Sequence, residues 1–172
     1  MSKITKKALE AAFSALLVER TLSKITVADI ANKAGVNRHT FYYHYRNIDD
    51  LIVNSVKDAV DSIYSADESE GFSGFLRYVY SRKQHMLSIM HSSSREQYIR
   101  AIMERMYIYV GNYVDAHYPD SASTDYERDF VIRFYLHGMI GIFIDWMDGG
   151  MVDPPEKISE VLHKVLKNAS AV

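Results

Sequence analysis

The chain has 172 residues, nearly half of them apolar, which excludes a disordered polymer and allows one large or two small packed domains. It contains no cysteine, which excludes a disulfide framework, a thiolate zinc site and a cysteine nucleophile, and fits a reducing, cytoplasmic setting. The net charge of −2 is unevenly spread: residues 1–50 hold eight Lys or Arg against five Asp or Glu, net +3, so the remainder carries −5. A basic end joined to an acidic remainder suits a chain that meets phosphate at one end only.

The opening MSKITKKALEAAF lacks the continuous apolar run of a signal peptide and has the amphipathic spacing of a helix start. Leu9, Ala12, Phe13, Leu16 and Leu17 recur at helical spacing and predict a first helix docked on a core. Lys3, Lys6 and Lys7 precede that stripe, either as an arm along phosphate or as solvated charge.

Thr26 followed by Asp29 has the form of a capping box, so a short helix is expected from about Val27, with Ile30, Ala31 and Ala34 on one face. Gly35 stands where a left-handed residue ends that helix. Val36 then fills the turn, and Asn37 caps a second helix from about Arg38 to His44 whose Phe41, with Tyr45, faces inward. Arg38, His39, Thr40, Tyr42, Tyr43 and His44 are left on the outward arc, where a recognition helix presents its leading end to base edges. Arg38 can donate two hydrogen bonds to guanine, the Thr40 methyl can meet a thymine methyl, and the Tyr42 hydroxyl can reach a phosphate.

The uninterrupted run TVADIANKAGVNRHTFYYHYRNIDDL, Thr26 to Leu51, resembles the signature of the TetR family of transcription regulators. The resemblance implies base contacts at Arg38, His39 and Tyr43, and contacts to the DNA backbone at Thr26, Thr40, Tyr42 and His44. One departure stands out: many members carry a phosphate-contacting Lys where this chain has Ile48.

Asn47 with Asp50 predicts the start of a longer fourth helix bearing Ile48, Ile52, Val56, Ala59 and Ile63, which would tie the head to the rest. ADESEG, Ala66 to Gly71, is loop by composition. A single helix is expected from about Ser73 to His91, with Leu76, Val79, Met86 and Met90 inward and Ser92 to Ser94 breaking it. Ser94 with Gln97 predicts the cap of a helix carrying Ile99, Ile102, Met103, Met106, Val110, Tyr113 and Val114, which Tyr118-Pro119-Asp120 ends. Thr124 with Glu127 caps the next helix, to Gly149-Gly150, and Asp153 caps the last, with Pro154 in first position and Ile158, Val161, Leu162, Val165 and Leu166 on one face.

The stretch Phe130 to Met147 is the most apolar, but Arg133 and Asp145 interrupt it and leave it short of a bilayer span, so no membrane association is expected. The helix containing it is apolar nearly all round, so a second copy is expected to cover one side, around a two-fold axis. Phe134, Gly138, Gly141, Ile142 and Asp145, with Ile158, Val161, Leu162 and Val165 of the last helix, form the expected dimer face. GMIGIFIDWMDGGMVDPPEKISEVL, Gly138 to Leu162, resembles the C-terminal body of the TetR-family branch that includes regulators of dihydroxyacetone kinase operons. That branch holds activators that bind a protein partner as well as proteins with no assigned effector.

No catalytic signature is present: Gly71-Phe72-Ser73-Gly74 is one residue short of a nucleophile elbow and is expected in a loop. His85, His91, His117, His137 and His163 lack metal spacing, so neither metal nor cofactor is expected. Tyr78, Tyr98, Met103, Met106, Tyr107, Phe134, His137 and Trp146 suit the walls of a ligand cavity or plain core, and the sequence leaves both open. The expectation is therefore an all-α protein with a three-helix helix-turn-helix head over residues 1–47 and a helical regulatory and dimerisation body over 48–172. The expected role is a homodimeric, non-enzymatic transcription regulator. It would bind a palindromic operator in double-stranded DNA as a repressor, under a small-molecule or protein effector. The alternatives are an activator controlled by a protein partner, and an interaction protein whose head has lost DNA binding.

Overall fold

The structure is a computed structural model that describes residues 2–66, 71–117 and 124–169. Among the described residues all regular structure is helical: α1 Ser2–Glu19, a 3-10 turn Leu22–Lys24, α2 Val27–Lys33, α3 Arg38–His44, α4 Ile48–Ala66, α5 Gly71–Ser81, α6 Lys83–Met90, α7 Arg95–His117, α8 Asp125–Asp148 and α9 Pro155–Ala169. Two compact units emerge from the packing. The first takes its residues from Met1–Asp58 and Lys83–Ala101, the second from Ala59–Arg82 and Ile102–Val172.

In the first unit α1 buries the whole expected stripe of Leu9, Ala12, Phe13, Leu16 and Leu17, and packs on α2, α3 and α6. Met86, Ile89 and Met90 of α6 and Tyr98, Ala101 of α7 are buried, as are Leu51, Ile52 and Val56 of α4. Two hydroxyls join these helices to the head: Ser88 Oγ accepts from the Leu22 N–H at 3.2 Å, and the buried Ser94 hydroxyl donates to the Asp49 carboxylate.

The second unit is built round α8, whose Ile132, Leu136, Met139, Ile140, Phe143, Trp146 and Met147 are buried. Helix α5 packs on α9, and Phe75 meets Phe143 with ring centroids 5.3 Å apart. Helix α8 has the bounds expected from its caps, 24 residues, and by length and composition it is the one described helix that could cross a membrane. Its buried face makes it the core helix of its own unit.

Four local expectations are corrected. The single helix Ser73–His91 is two, α5 and α6, broken at Arg82. Gly71 to Gly74 are the first turn of α5, not a loop. Tyr113 is exposed, off the inward stripe of α7. Helix α9 begins at Pro155, one residue later than expected, and Asp153 instead lends its carbonyl to the Trp146 indole N–H at 2.9 Å and its carboxylate to Lys157 at 2.6 Å. The expected stop at Tyr118-Pro119-Asp120 lies outside the described residues.

Candidate nucleic-acid interface

The turn between α2 and α3 follows from its caps. Thr26 Oγ1 accepts from the Asp29 N–H at 3.2 Å while Asp29 Oδ2 accepts from the Thr26 N–H at 2.9 Å, a closed capping box. Gly35 has φ +70°, a conformation that costs an L side chain about 1 kcal/mol or more, and the Val36 N–H returns to the Ala31 carbonyl at 2.9 Å to close the helix end. Asn37 Oδ1 then accepts from the Thr40 N–H at 2.8 Å and starts α3.

Helix α3 has two sharply different sides. Phe41 and Tyr45 are buried, their ring centroids 5.7 Å apart, and the Tyr45 hydroxyl donates to Glu10 Oε1 of α1 at 2.7 Å. Burial, then that hydrogen bond, pushes the Tyr45 phenol far above its ordinary range. On the other side Asn37, Arg38, His39, Tyr42 and Tyr43 are exposed, Tyr43 to 80 %. His44 is half-buried, with its ring 5.1 Å from that of Tyr43 in an edge-to-face arrangement.

Two side chains expected to touch the DNA backbone are already engaged. The Thr26 hydroxyl donates to Asp29 Oδ2 at 2.6 Å, and the Thr40 hydroxyl donates to Asn37 Oδ1 at 3.0 Å. A phosphate contact by either hydroxyl would break a bond the cap makes.

Charge near the turn is partly self-neutralised. Lys6 pairs with Asp58 at 2.6 Å, Arg20 with Asp29 at 3.6 Å, Arg46 with Asp50 at 3.1 Å, and Lys33 with Glu19. The Thr26 bonds hold the Asp29 carboxyl below its usual range, and Arg46 does the same for Asp50. Lys3, Lys7, Lys24 and Arg38 make no ion pair among the described residues, so these four cations remain for an external anion. Lys24, in the 3-10 turn, had no motif to mark it in the sequence.

In the second unit Phe134, His137, Gly138, Gly141, Ile142 and Asp145 of α8 are exposed, with Val161 and Val165 of α9, while Ile158 and Leu162 are half-buried. A Cβ on Gly138 or Gly141 would meet nothing within 4 Å. Tyr126 and Phe130, four residues apart and four before Phe134, are exposed too; that spacing continues the face toward the start of α8 and could have been read from the sequence. Along the α7–α8 seam Arg128 grips Asp115 through two bonds of 2.7 and 2.6 Å, and Asp129 accepts from Tyr107 at 2.6 Å and Arg133 at 2.6 Å.

The eight residues considered for a ligand cavity have different surroundings. Tyr98 belongs to the first unit, buried, its hydroxyl on Met86 Sδ at 3.0 Å. Phe134 and His137 lie on the exposed face of α8. Tyr107 is tied to Asp129, Trp146 stacks on Tyr80 with centroids 6.0 Å apart, Tyr78 lies under the Arg82 guanidinium at 4.0 Å, Met106 is buried core and Met103 half-buried. Among the described residues no group of three or more His, Cys, Asp or Glu is arranged to hold a metal ion.

Residues 8–54 match a family model described as bacterial regulatory proteins, tetR family, and residues 67–168 match one described as transcriptional regulator C-terminal region. The chain is 26 % identical over 166 residues to an uncharacterized HTH-type transcriptional regulator, YxbF, of Bacillus subtilis, covering 90 % of this chain but 42 % of that protein. It therefore spans less than half the length of that relative. The fold is similar to that of the dihydroxyacetone kinase operon activator DhaS, with TM-score 0.77, 20 % identity and coverage of 99 % of this chain and 98 % of the other. It is also similar to NalD, the secondary repressor of the MexAB-OprM multidrug efflux pump in Pseudomonas aeruginosa, with TM-score 0.57, 17 % identity and coverage of 97 % and 95 %.

Proposed function

The chain belongs to the TetR family of transcriptional regulators, and from that premise we propose that it acts in the cytoplasm as a homodimeric repressor at a palindromic operator. The observation that carries this reading is the division of α3: Phe41 and Tyr45 buried, Arg38 and His39 exposed at its leading end and Tyr43 exposed further along. A recognition helix needs that division, because base edges are reached only by side chains that packing leaves free.

The head, residues 1–47, would enter the major groove with Arg38, His39 and Tyr43 on base edges. Asn37, Tyr42 and His44 would lie nearer the sugar-phosphate chain, as would the outward sides of Thr26 and Thr40. The body, residues 48–172, would pair through Phe134, Gly138, Gly141, Ile142 and Asp145 with Ile158, Val161, Leu162 and Val165, which brings two heads to the two halves of one site. An effector, a small molecule or a protein, would act by changing the separation of the heads.

Fragments retained from genomic DNA test this directly. Retained sequences should share two inverted half-sites about one helical turn apart, and Arg38→Ala should relax preference at one base pair per half-site, costing about 1–3 kcal/mol there. Uniform weakening over all sequences would assign Arg38 to phosphate instead. Activation is a second reading, favoured by the likeness in fold to a protein named as an operon activator. A promoter reporter separates the two: loss of the protein raises expression under repression and lowers it under activation.

A further inference from the structure

Asn37 and Thr40 divide their hydrogen-bonding capacity unequally. Asn37 Oδ1 accepts twice from Thr40, from its N–H at 2.8 Å and its hydroxyl at 3.0 Å. A carboxamide carries one acceptor oxygen and one donor nitrogen; with the oxygen committed to the helix, the exposed Asn37 side chain presents the two N–H bonds of Nδ2 outward. Thr40 has one hydroxyl proton and gives it to Asn37, which leaves it a methyl group and oxygen lone pairs. Lone pairs repel phosphate oxygens. Thr26 is in the same state, its proton given to Asp29 at 2.6 Å.

DNA presents mainly acceptors to such an edge: phosphate oxygens, guanine N7 and O6, adenine N7 and thymine O4. Beside Asn37 stands Arg38, donor-only and without an ion-pair partner among the described residues. The leading end of α3 thus offers adjacent donors in Asn37 and Arg38.

We propose that Asn37 is a donor contact to DNA, held in its productive orientation by Thr40, and that Thr40 is a positioning residue whose hydroxyl touches no phosphate. The proposal rests on the DNA-binding reading above. The receiving atom is an acceptor on a phosphate or on a base edge, and the two differ in their dependence on sequence.

The test compares wild type, Asn37→Ser and Thr40→Val on two labelled duplexes, one of mixed sequence and one retained from genomic DNA, at fixed salt. Serine caps a helix about as well as asparagine, so the unfolding midpoint should hold, but serine is too short to place a donor where Nδ2 stands. Asn37→Ser should bind about ten-fold more weakly or worse, the usual loss for a hydrogen bond to a charged or fully used acceptor. The loss should appear on both duplexes if the acceptor is a phosphate, and on the retained duplex alone if it is a base edge. Thr40→Val removes one of the two bonds that aim Asn37, so it should weaken binding less than Asn37→Ser does and should add no further loss in an Asn37→Ser background. Asn37→Gly, another tolerated cap, should repeat the Asn37→Ser loss should serine alter folding. Asn37→Ser and Asn37→Gly binding like wild type would overturn the proposal, as would Thr40→Val weakening binding further in the Asn37→Ser background, the mark of an independent contact by Thr40. Wild type failing to bind either duplex would instead contradict the DNA-binding reading itself.

Discussion

The Tyr45 hydroxyl donates to Glu10 Oε1 across 2.7 Å, joining the end of the recognition helix to the first helix from within the core. Glu10 is also 3.9 Å from Lys6, which in turn holds Asp58 at 2.6 Å, so one chain of polar contacts runs through α1, α3 and α4. Removing the hydroxyl by Tyr45→Phe leaves a partly buried carboxylate without its donor, at a cost of about 1–2 kcal/mol. Chemical denaturation should show a lower midpoint with unchanged slope. Burial first, and then the bond to Glu10, make the folded phenol resist ionisation, so the head loses stability as pH rises above the ordinary tyrosine range near 10, where the unfolded chain ionises first. Tyr45→Phe should abolish that part of the alkaline loss.

Acid should act on the caps. Asp29 and Asp50 both sit below the ordinary carboxylate range, held there first by the Thr26 hydroxyl and by the Arg46 guanidinium respectively. Their folded forms release protons more readily than the unfolded chain, so the stability they add is present above about pH 4 and is lost as pH falls through their depressed values. Thermal midpoints followed by circular dichroism from pH 7 to pH 3 should decline at the acid end, less steeply in Asp29→Asn. A flat midpoint to pH 3 would contradict the assignment.

Gly138 allows the proposed dimer face to be tested apart from folding. Nothing lies within 4 Å of the position its Cβ would take, and replacing an exposed mid-helix glycine gains about 0.5–1 kcal/mol of helix propensity. Gly138→Arg should therefore fold at least as well as wild type. It should nonetheless sediment at half the wild-type mass, because two guanidinium groups would be forced into an apolar interface. Wild type and variant sharing one mass would remove this face from the interface.

Trp146 should govern the turn from α8 to α9. Its indole N–H reaches the Asp153 carbonyl at 2.9 Å around a turn in which Met151 is fully buried with φ +50°, a conformation a side chain adopts only when its surroundings hold it there. Trp146→Phe forfeits that hydrogen bond, about 0.5–1.5 kcal/mol. The loss should be read as a lower unfolding midpoint, together with weaker dimerisation as α9 loosens.

The head could be read from sequence because its boundaries are set by neighbours in the chain. Thr26 with Asp29, Gly35, Asn37 with Thr40 and Asn47 with Asp50 each form their bonds within three residues, so spacing alone placed α2, α3 and α4. The break at Arg82 was invisible for the opposite reason. Val79 and Met86 lie seven apart, the spacing of one continuous helix, yet Val79 belongs to the second unit and Met86 to the first. Their separation is decided by tertiary packing. There the Ser81 hydroxyl bonds the Tyr78 carbonyl at 2.7 Å, a local competitor to the helix ladder. Aromatic and methionine residues left core and cavity open in the sequence, because the same side-chain types serve as buried core at Tyr98, stacked turn support at Trp146 and exposed face at Phe134.

DNA binding by α3 is tested most directly by the salt dependence of affinity. Lys3, Lys7, Lys24 and Arg38 stand without ion-pair partners among the described residues of each head, and each phosphate neutralised contributes a slope of about −0.9 in log affinity against log salt. A duplex retained from genomic DNA, titrated by fluorescence anisotropy from low to physiological salt, should give a slope of about −5 or steeper across the two heads, shallower by about two units if Arg38→Ala loses a phosphate contact from each head and unchanged in slope if it loses a base contact. Affinity that does not vary with salt, or no binding at low salt, would contradict the account.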